Sequence, residues 1–312
     1  MKVGIIGAGS IAGTMAGTIR EMDCAQNYAV AARDYGRAAE FAQTYGFEKA
    51  YGSYEELVED AGVELVYIAT PHSHHYEHIK LCLNHGKHVL CEKSFTVNES
   101  QAREVLALAR EKKLLLTEAI WTRYMPMRKT LDSVLSSGVI GRPYMLTANL
   151  GYIISGKERI MRPELAGGAL LDVGIYPLNF ASMVFGDEVD SITGTAVMTE
   201  TGVDAQNSIT ITYKDGKMAA LCSSAMGLSD RRGIIYGDNG FIEVENINNC
   251  EGIRVYDRSR NMIASYDTPK QISGYEYEVE ACLRAIKEGA LECPEMPHEE
   301  TLRMMGWMDE LR

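Results

Sequence analysis

The chain has 312 residues, 31 Lys+Arg against 43 Asp+Glu, and a net charge of -12. That length allows a sizeable core and suggests two domains, and the acidic balance argues against nucleic acid or an anionic membrane as partner. No apolar run reads as approaching the ~20 residues of a membrane span, and seven scattered cysteines without a C-x-x-C pair read as reduced thiols of a cytoplasmic protein.

The chain opens on a core strand, so no signal peptide is expected. Val3, Ile5 and Ile6 form that strand, Gly7-Ala8-Gly9-Ser10-Ile11-Ala12 fits G-x-G-x-x-G/A, and residues 14–22 read as a helix. Gly7 permits a tight turn, Gly9 lets a pyrophosphate approach the backbone, and Ala12 lets the helix pack on the strand. Ser10 and Ile11 open a helix whose unpaired N–H groups face the phosphates. Dinucleotide binding follows.

Residues 28–33 read as the next strand. An acidic residue about 20 positions past the glycines normally holds the ribose 2′-OH of NAD. Here Ala31-Ala32-Arg33-Asp34 stands there, with Arg37 on the next helix. Two guanidinium groups suit a 2′-phosphate, so NADP is favoured over NAD. The plainer alternative makes Arg33 and Arg37 solvated charges, and Asp34 is able to bond a ribose hydroxyl.

Residues 36–45 and 54–61 read as helices, and 64–70 as a buried strand ending Thr70-Pro71. His72, His74, His75 and His78 follow, with His74 and His78 at helical i, i+4 spacing. A metal needs a fuller ligand set, and there is neither H-E-x-x-H nor an obvious carboxylate or cysteine set. No metal is expected, and the segment reads as the start of a helix above the cofactor. Residues 88–93 form a strand whose carboxyl end carries Glu92 and Lys93, where an open parallel sheet binds ligands. A helix over 98–113 and a strand over 114–118 complete an α/β, doubly wound Rossmann domain, residues 1–119.

Beyond Trp121, Arg123 and Tyr124 the alternation breaks. Residues 127–137 read as a helix and 144–154 as a long strand. Lys214-Asp215-Gly216-Lys217 and Gly237-Asp238-Asn239-Gly240 read as hairpin turns between strands. Further strands at 254–256 and 262–266 and helices at 275–288 and 298–312 close the chain. Residues 120–312 thus read as a substrate-binding and oligomerisation α+β domain on a largely antiparallel, open-faced sheet. The uncovered face suits a homodimer.

Asp172 and Tyr176 stand i, i+4 behind Gly167-Gly168. Hydride transfer from an alcohol needs a group that takes the hydroxyl proton. A phenol titrates near ~10, and a nearby ammonium lowers that value. Tyr176 with Lys93 as its activator and Asp172 as an orienting residue meets the need. Spacing alone equally allows a half-buried helix tyrosine and an N-terminal helix charge.

Taken together, Gly7–Ala12, Thr70-Pro71 with His75, Gly86-Lys87-His88-Val89-Leu90-Cys91-Glu92-Lys93 and Gly167-Gly168-Ala169-Leu170-Leu171-Asp172 resemble the Gfo/Idh/MocA oxidoreductase family over the whole chain. Within it the chain is most similar to the dimeric dihydrodiol dehydrogenases, which also oxidise D-xylose with NADP. Ala31–Asp34 with Arg37, residues 118–126, and Tyr176 in place of a common histidine carry that closer likeness. The resemblance implies Lys93 and Tyr176 as catalytic pair, Asp172 as support, and Arg33 and Arg37 on the 2′-phosphate. It also implies Thr70, Pro71, His75 and Glu92 around the cofactor. Ser94 departs from the family's Glu-Lys-Pro. Trp121, Arg123 and Tyr124 are candidates for binding a sugar or cyclic diol. An NAD-dependent sugar or inositol-type dehydrogenase is the alternative enzyme. A non-catalytic NADP-binding sensor would be expected to lack Lys93 or Tyr176.

Overall fold

The structure, a computed structural model, describes all residues 1–312. The chain forms two compact units, one of Met1–Tyr124 with Gln271–Met305, the other of Met125–Lys270 with Gly306–Arg312. The sequence reading gives residues 271–305 to the second domain, whereas they pack with the first.

The first unit runs β1 (Lys2–Ile6), α1 (Ser10–Arg20), β2 (Gln26–Ala31), α2 (Tyr35–Tyr45), β3 (Lys49–Tyr51), α3 (Tyr54–Glu59), β4 (Leu65–Ile68), α4 (His72–Asn84), β5 (His88–Glu92), α5 (Glu99–Lys112) and β6 (Leu116–Ala119). Its sheet has the order β3-β2-β1-β4-β5-β6 with every pair parallel. This is the doubly wound order, with its switch point between β1 and β4. Ile5, Ile6, Val66, Ile68, Val89 and Leu90 are all fully buried, as a sheet covered on both faces requires. Three helix starts, those of α2, α3 and α5, are capped by the chain's own side chains. Asp34 accepts from Arg37 N, Asn98 from Gln101 N, and Ser53 forms a capping box with Glu56. Each such cap contributes about 1 kcal/mol. The edge strand β3 has three residues, too short for an alternation signal, and has no counterpart in the sequence reading.

The second unit holds α6 (Pro126–Ser136), β7 (Pro143–Gly151), the short α7 (Glu158–Met161), a π-helical turn (Leu170–Gly174) leading into α8 (Ile175–Phe185), and seven strands. These are β8 (Val189–Met198), β9 (Asp204–Tyr213), β10 (Met218–Ser224), β11 (Gly233–Gly237), β12 (Gly240–Glu245), β13 (Gly252–Asp257) and β14 (Met262–Asp267). The eight strands have the order β14-β13-β12-β11-β7-β10-β9-β8. All pairs are antiparallel except β7 with β10. The expected hairpins are there: Met218 pairs with Thr212, and Tyr236 with Phe241. Helix α8 packs on β7 and β10. Met145, Val197 and Met218 stay exposed on the side of the sheet away from the buried Leu146, Ile211 and Leu221, so the expected open sheet face is a feature of this unit.

Residues Pro163–Phe185 are long and apolar enough by composition to cross a membrane, contrary to the expectation that no run is. Most of the segment is buried in the unit's core. Helices α9 (Glu276–Glu288) and α10 (His298–Glu310) follow. Helix α9 packs on β5 and α1, within the first unit. None of the seven cysteines is paired.

Candidate active site

At the end of β1 the chain turns at Gly7, whose φ of +102° places it in the region that favours glycine. A Cβ there would lie 2.8 Å from Ala69 O. Gly9 is the N-cap of α1, and a Cβ on it would meet nothing within 4 Å. Its glycine is therefore not required by packing; it leaves open space above the first turn. No side chain caps α1 and no acidic residue stands in its first turn. The N–H groups at Ser10 and Ile11 thus face a place suited to an anion. Ala12 is fully buried beneath them.

Arg33 and Arg37 are exposed one strand away, just past β2. Arg37 Nη2 donates to Ala8 O at 2.9 Å, so its guanidinium reaches the glycine loop. Asp34 Oδ1 accepts from Arg37 N at 2.8 Å. The one acid in this stretch is thus engaged as a helix cap, while the Arg37 guanidinium borders the glycine loop.

Lys93 leaves the carboxyl end of β5, half-buried, and its peptide bond to Ser94 is cis. Groups on three sides fix this turn. Glu92 accepts from Lys93 N at 3.2 Å and from the Tyr67 hydroxyl. His75 Nδ1 lies 2.8 Å from Ser94 O, and Phe95 N donates to Glu118 Oε1 at 3.2 Å. His75 Nε2 lies 2.8 Å from Thr70 O. His75 is 0% exposed, so it acts as a clamp between the Thr70-Pro71 turn and the Lys93 turn. Burial holds its ring down to about 4, and a neutral imidazole donates to only one of the two carbonyls at a time. Glu92 likewise is buried and supports the turn from behind.

Burial pushes the Glu118 carboxyl up to about 7, against the lowering influence of Thr301, Arg123 and the Phe95 N–H. Unfolded, the group returns to its ordinary 4.5. It holds its proton more tightly when folded. The stability it lends is therefore complete below about 4.5 and lost as pH rises through about 7. Glutamine mimics the neutral acid and keeps an acceptor for Phe95 N. Glu118→Gln is expected to flatten the fall in melting temperature across that interval, an effect on the order of 3 kcal/mol. An unchanged slope would show that Glu118 does not titrate there.

Of the three candidates for substrate contact, Arg123 pairs with Glu300, which also pairs with Arg303, and both Arg123 and Glu300 are buried. The Tyr124 hydroxyl lies 2.8 Å from Thr117 Oγ1 and 2.8 Å from Glu118 O. Their polar groups are engaged inside the first unit, an interior role that the sequence reading did not assign them. Trp121 stacks on Tyr275, with ring centroids 4.2 Å apart and planes 14° from parallel. Sequence reasoning missed Tyr275 because it assigned that stretch to the other domain.

In the second unit Asp172 sits in the π-helical turn and Tyr176 in the first turn of α8, both buried. The sequence reading expects plain helix here. Asp204 Oδ2 accepts from Leu170 N at 2.6 Å, anchoring the turn's start. Gly168 has φ +107°, and a Cβ on it would come within 2.1 Å of Asp204 Oδ1. Single π turns inside helices recur at functional sites. Asp172 Oδ1 accepts from Arg159 Nη1 at 2.7 Å. Arg159, on α7, was not foreseen, since nothing in the sequence links positions 13 residues apart across a loop.

The histidine run forms ring pairs. His72 and His75 are 5.8 Å apart, as are His74 and His78. No group of three metal-ligating side chains converges in the chain.

Comparison with known proteins adds the following. The family model for the oxidoreductase family with NAD-binding Rossmann fold, GFO/IDH/MocA, matches residues 1–120, and that for the GFO/IDH/MocA C-terminal domain matches residues 129–243. The human trans-1,2-dihydrobenzene-1,2-diol dehydrogenase is 35% identical, covering 100% of this chain and 96% of its own. The Xenopus tropicalis enzyme of that name is 33% identical over 99% of this chain and 96% of its own. Among solved structures, the 3-ketoreductase KijD10 from Actinomadura kijaniata, in complex with NADP and TDP-benzene, superposes with a TM-score of 0.92 at 25% identity, covering 100% of this chain and 97% of that one. The aldose-aldose oxidoreductase from Caulobacter crescentus, at 18% identity, shares the fold with a TM-score of 0.90, covering 99% and 96%.

Proposed function

Because the chain belongs to the GFO/IDH/MocA oxidoreductase family and is an NAD(P)-dependent dehydrogenase, we propose that its cofactor is NADP and its substrate a secondary alcohol of a sugar or cyclic diol. The observation that carries the cofactor choice is the arrangement past β2. Asp34 is engaged as the cap of α2 while Arg37 reaches Ala8 O. An NAD-dependent sugar or inositol-type dehydrogenase would instead need an acid there to face a ribose hydroxyl. The name of the human relative, a trans-dihydrodiol dehydrogenase, supports the substrate class.

The chain's own residues divide the work. The glycine loop and the N-terminus of α1 bind the pyrophosphate. NADP, when bound, accepts or returns a hydride. Tyr176 takes the proton of the reacting hydroxyl as the carbinol carbon gives up its hydrogen with the electron pair and the C–O bond becomes C=O. The family resemblance pairs Lys93 with Tyr176 as the activating charge, and Asp172, held by Arg159, is the supporting residue. Trp121 offers an aromatic face to the ring of the substrate. Both Lys93 and Tyr176 being present, a sensor without catalysis is disfavoured.

The test is a panel of aldoses, inositols and trans-dihydrodiols mixed with purified protein and NADP, with NADPH absorbance followed. Turnover of at least one compound is expected, and slower turnover with NAD. Silence across the panel would favour the sensor.

We also infer a cytoplasmic homodimer through the open sheet. Met145 and Met218, cross-strand partners on β7 and β10, are both exposed and share the open face. Sedimentation is expected to give twice the 34.5 kDa chain mass, and Met218→Asp to shift the mass toward a single chain. A wild-type mass of one chain would contradict the dimer.

A further inference from the structure

The first unit holds a second set of groups near Arg33 that the family motifs leave out. Tyr54 opens α3 and His78 lies two turns into α4. Their rings meet edge to face, with centroids 4.6 Å apart and planes 73° from parallel. His78 Nδ1 is 2.9 Å from Thr70 Oγ1. When the Thr70 hydroxyl donates to Nδ1, the remaining nitrogen, Nε2, carries the proton and is a donor. The Ser53–Glu56 capping box fixes the start of α3, and with it Tyr54. Both rings are half-buried.

The charges around this pair are positive. Arg33 acts on both Tyr54 and His78, and Arg37 acts on Tyr54. His78 also feels His74 and His75 from its own helix. Burial first, then these neighbours, hold His78 down to about 4, so at neutral pH the ring is neutral and, with the Thr70 hydroxyl donating to Nδ1, offers Nε2–H as a donor. Neither the Tyr54 hydroxyl nor His78 Nε2 meets a hydrogen-bond partner in the protein, whereas His78 Nδ1 does. Packing alone would be served as well by Phe and Leu. Two donors beside two guanidinium groups, at the carboxyl ends of β2 and β4, match a phosphate with several acceptor oxygens.

We propose that Tyr54 and His78 are specificity residues for the 2′-phosphorylated adenosine of the cofactor, donating hydrogen bonds to its 2′-phosphate oxygens beside Arg33. The proposal rests on the NADP reading above. A hydrogen bond to a charged group is worth about 1.5–3 kcal/mol, so its loss weakens binding roughly tenfold or more.

The test uses the whole protein and no substrate. Dissociation constants for NADPH and NADH are measured by cofactor fluorescence for wild type, Tyr54→Phe and His78→Asn, with thermal melts confirming the fold. The expected result is a roughly tenfold weaker NADPH for each variant, with NADH changed less than about twofold. Equal losses for both cofactors, or no loss of NADPH affinity, would overturn the assignment while leaving NADP preference standing. A wild type that binds NADH as tightly as NADPH would remove the NADP reading and the proposal together. If one variant fails to fold, the other decides.

Discussion

Tyr176→Phe is expected to lower kcat by roughly 10²- to 10⁴-fold, the span over which a positioned acid/base contributes, with NADPH affinity kept within about twofold. The substitution removes one oxygen. The ring remains in the first turn of α8, among the buried side chains that hold it, so no cavity opens and the melting temperature should move little. The drop should fall on kcat rather than on KM, because the phenol acts on a proton in flight and not on the bound ground state. A variant that keeps wild-type turnover would remove Tyr176 from the chemistry and leave it a core tyrosine.

The second large effect concerns the cofactor. Arg33→Ala combined with Arg37→Ala is expected to weaken NADPH by about 10²-fold or more, since each guanidinium–phosphate interaction contributes about 1.5–3 kcal/mol. NADH, which lacks the phosphate, should bind the double variant about as well as it binds wild type. Fold stability should hardly change, because both residues are exposed and the α2 cap is made through the backbone N–H of Arg37, which alanine keeps. Parallel titration with the two cofactors therefore separates recognition from damage. If NADPH affinity survives, these arginines are solvated surface charges.

Much of the first unit was legible in the sequence because its signals are local. Gly7 to Ala12 follow a strand and open a helix. The strand over 88–93 is continuous and apolar up to Glu92. Turn chemistry at Lys214–Lys217 and Gly237–Gly240 likewise gave the two hairpins away. What stayed hidden depends on contacts between distant positions. Helix α9 has an ordinary amphipathic pattern, and nothing in it says that its apolar face meets β5 rather than the second sheet. The stacking of Tyr275 on Trp121 was lost with it. A π turn over Leu170–Gly174 differs from an α turn by one residue of register, set by Asp204 and Gly168 from outside the segment. His75 matches a family motif, but only its complete burial shows that it clamps two turns. Arg123 and Tyr124 look like ligand contacts in a sequence of aromatic and basic residues. Their partners, Glu300 and Thr117, assign them to the interior.

The most direct test follows a label. The best substrate from the panel, carrying deuterium on its carbinol carbon, is turned over with NADP, and the reduced cofactor is examined by mass spectrometry. The expected result is one deuterium per NADPH formed, with a slower rate than for the unlabelled compound. Unlabelled NADPH, with the deuterium released to water, would contradict direct hydride transfer by this protein.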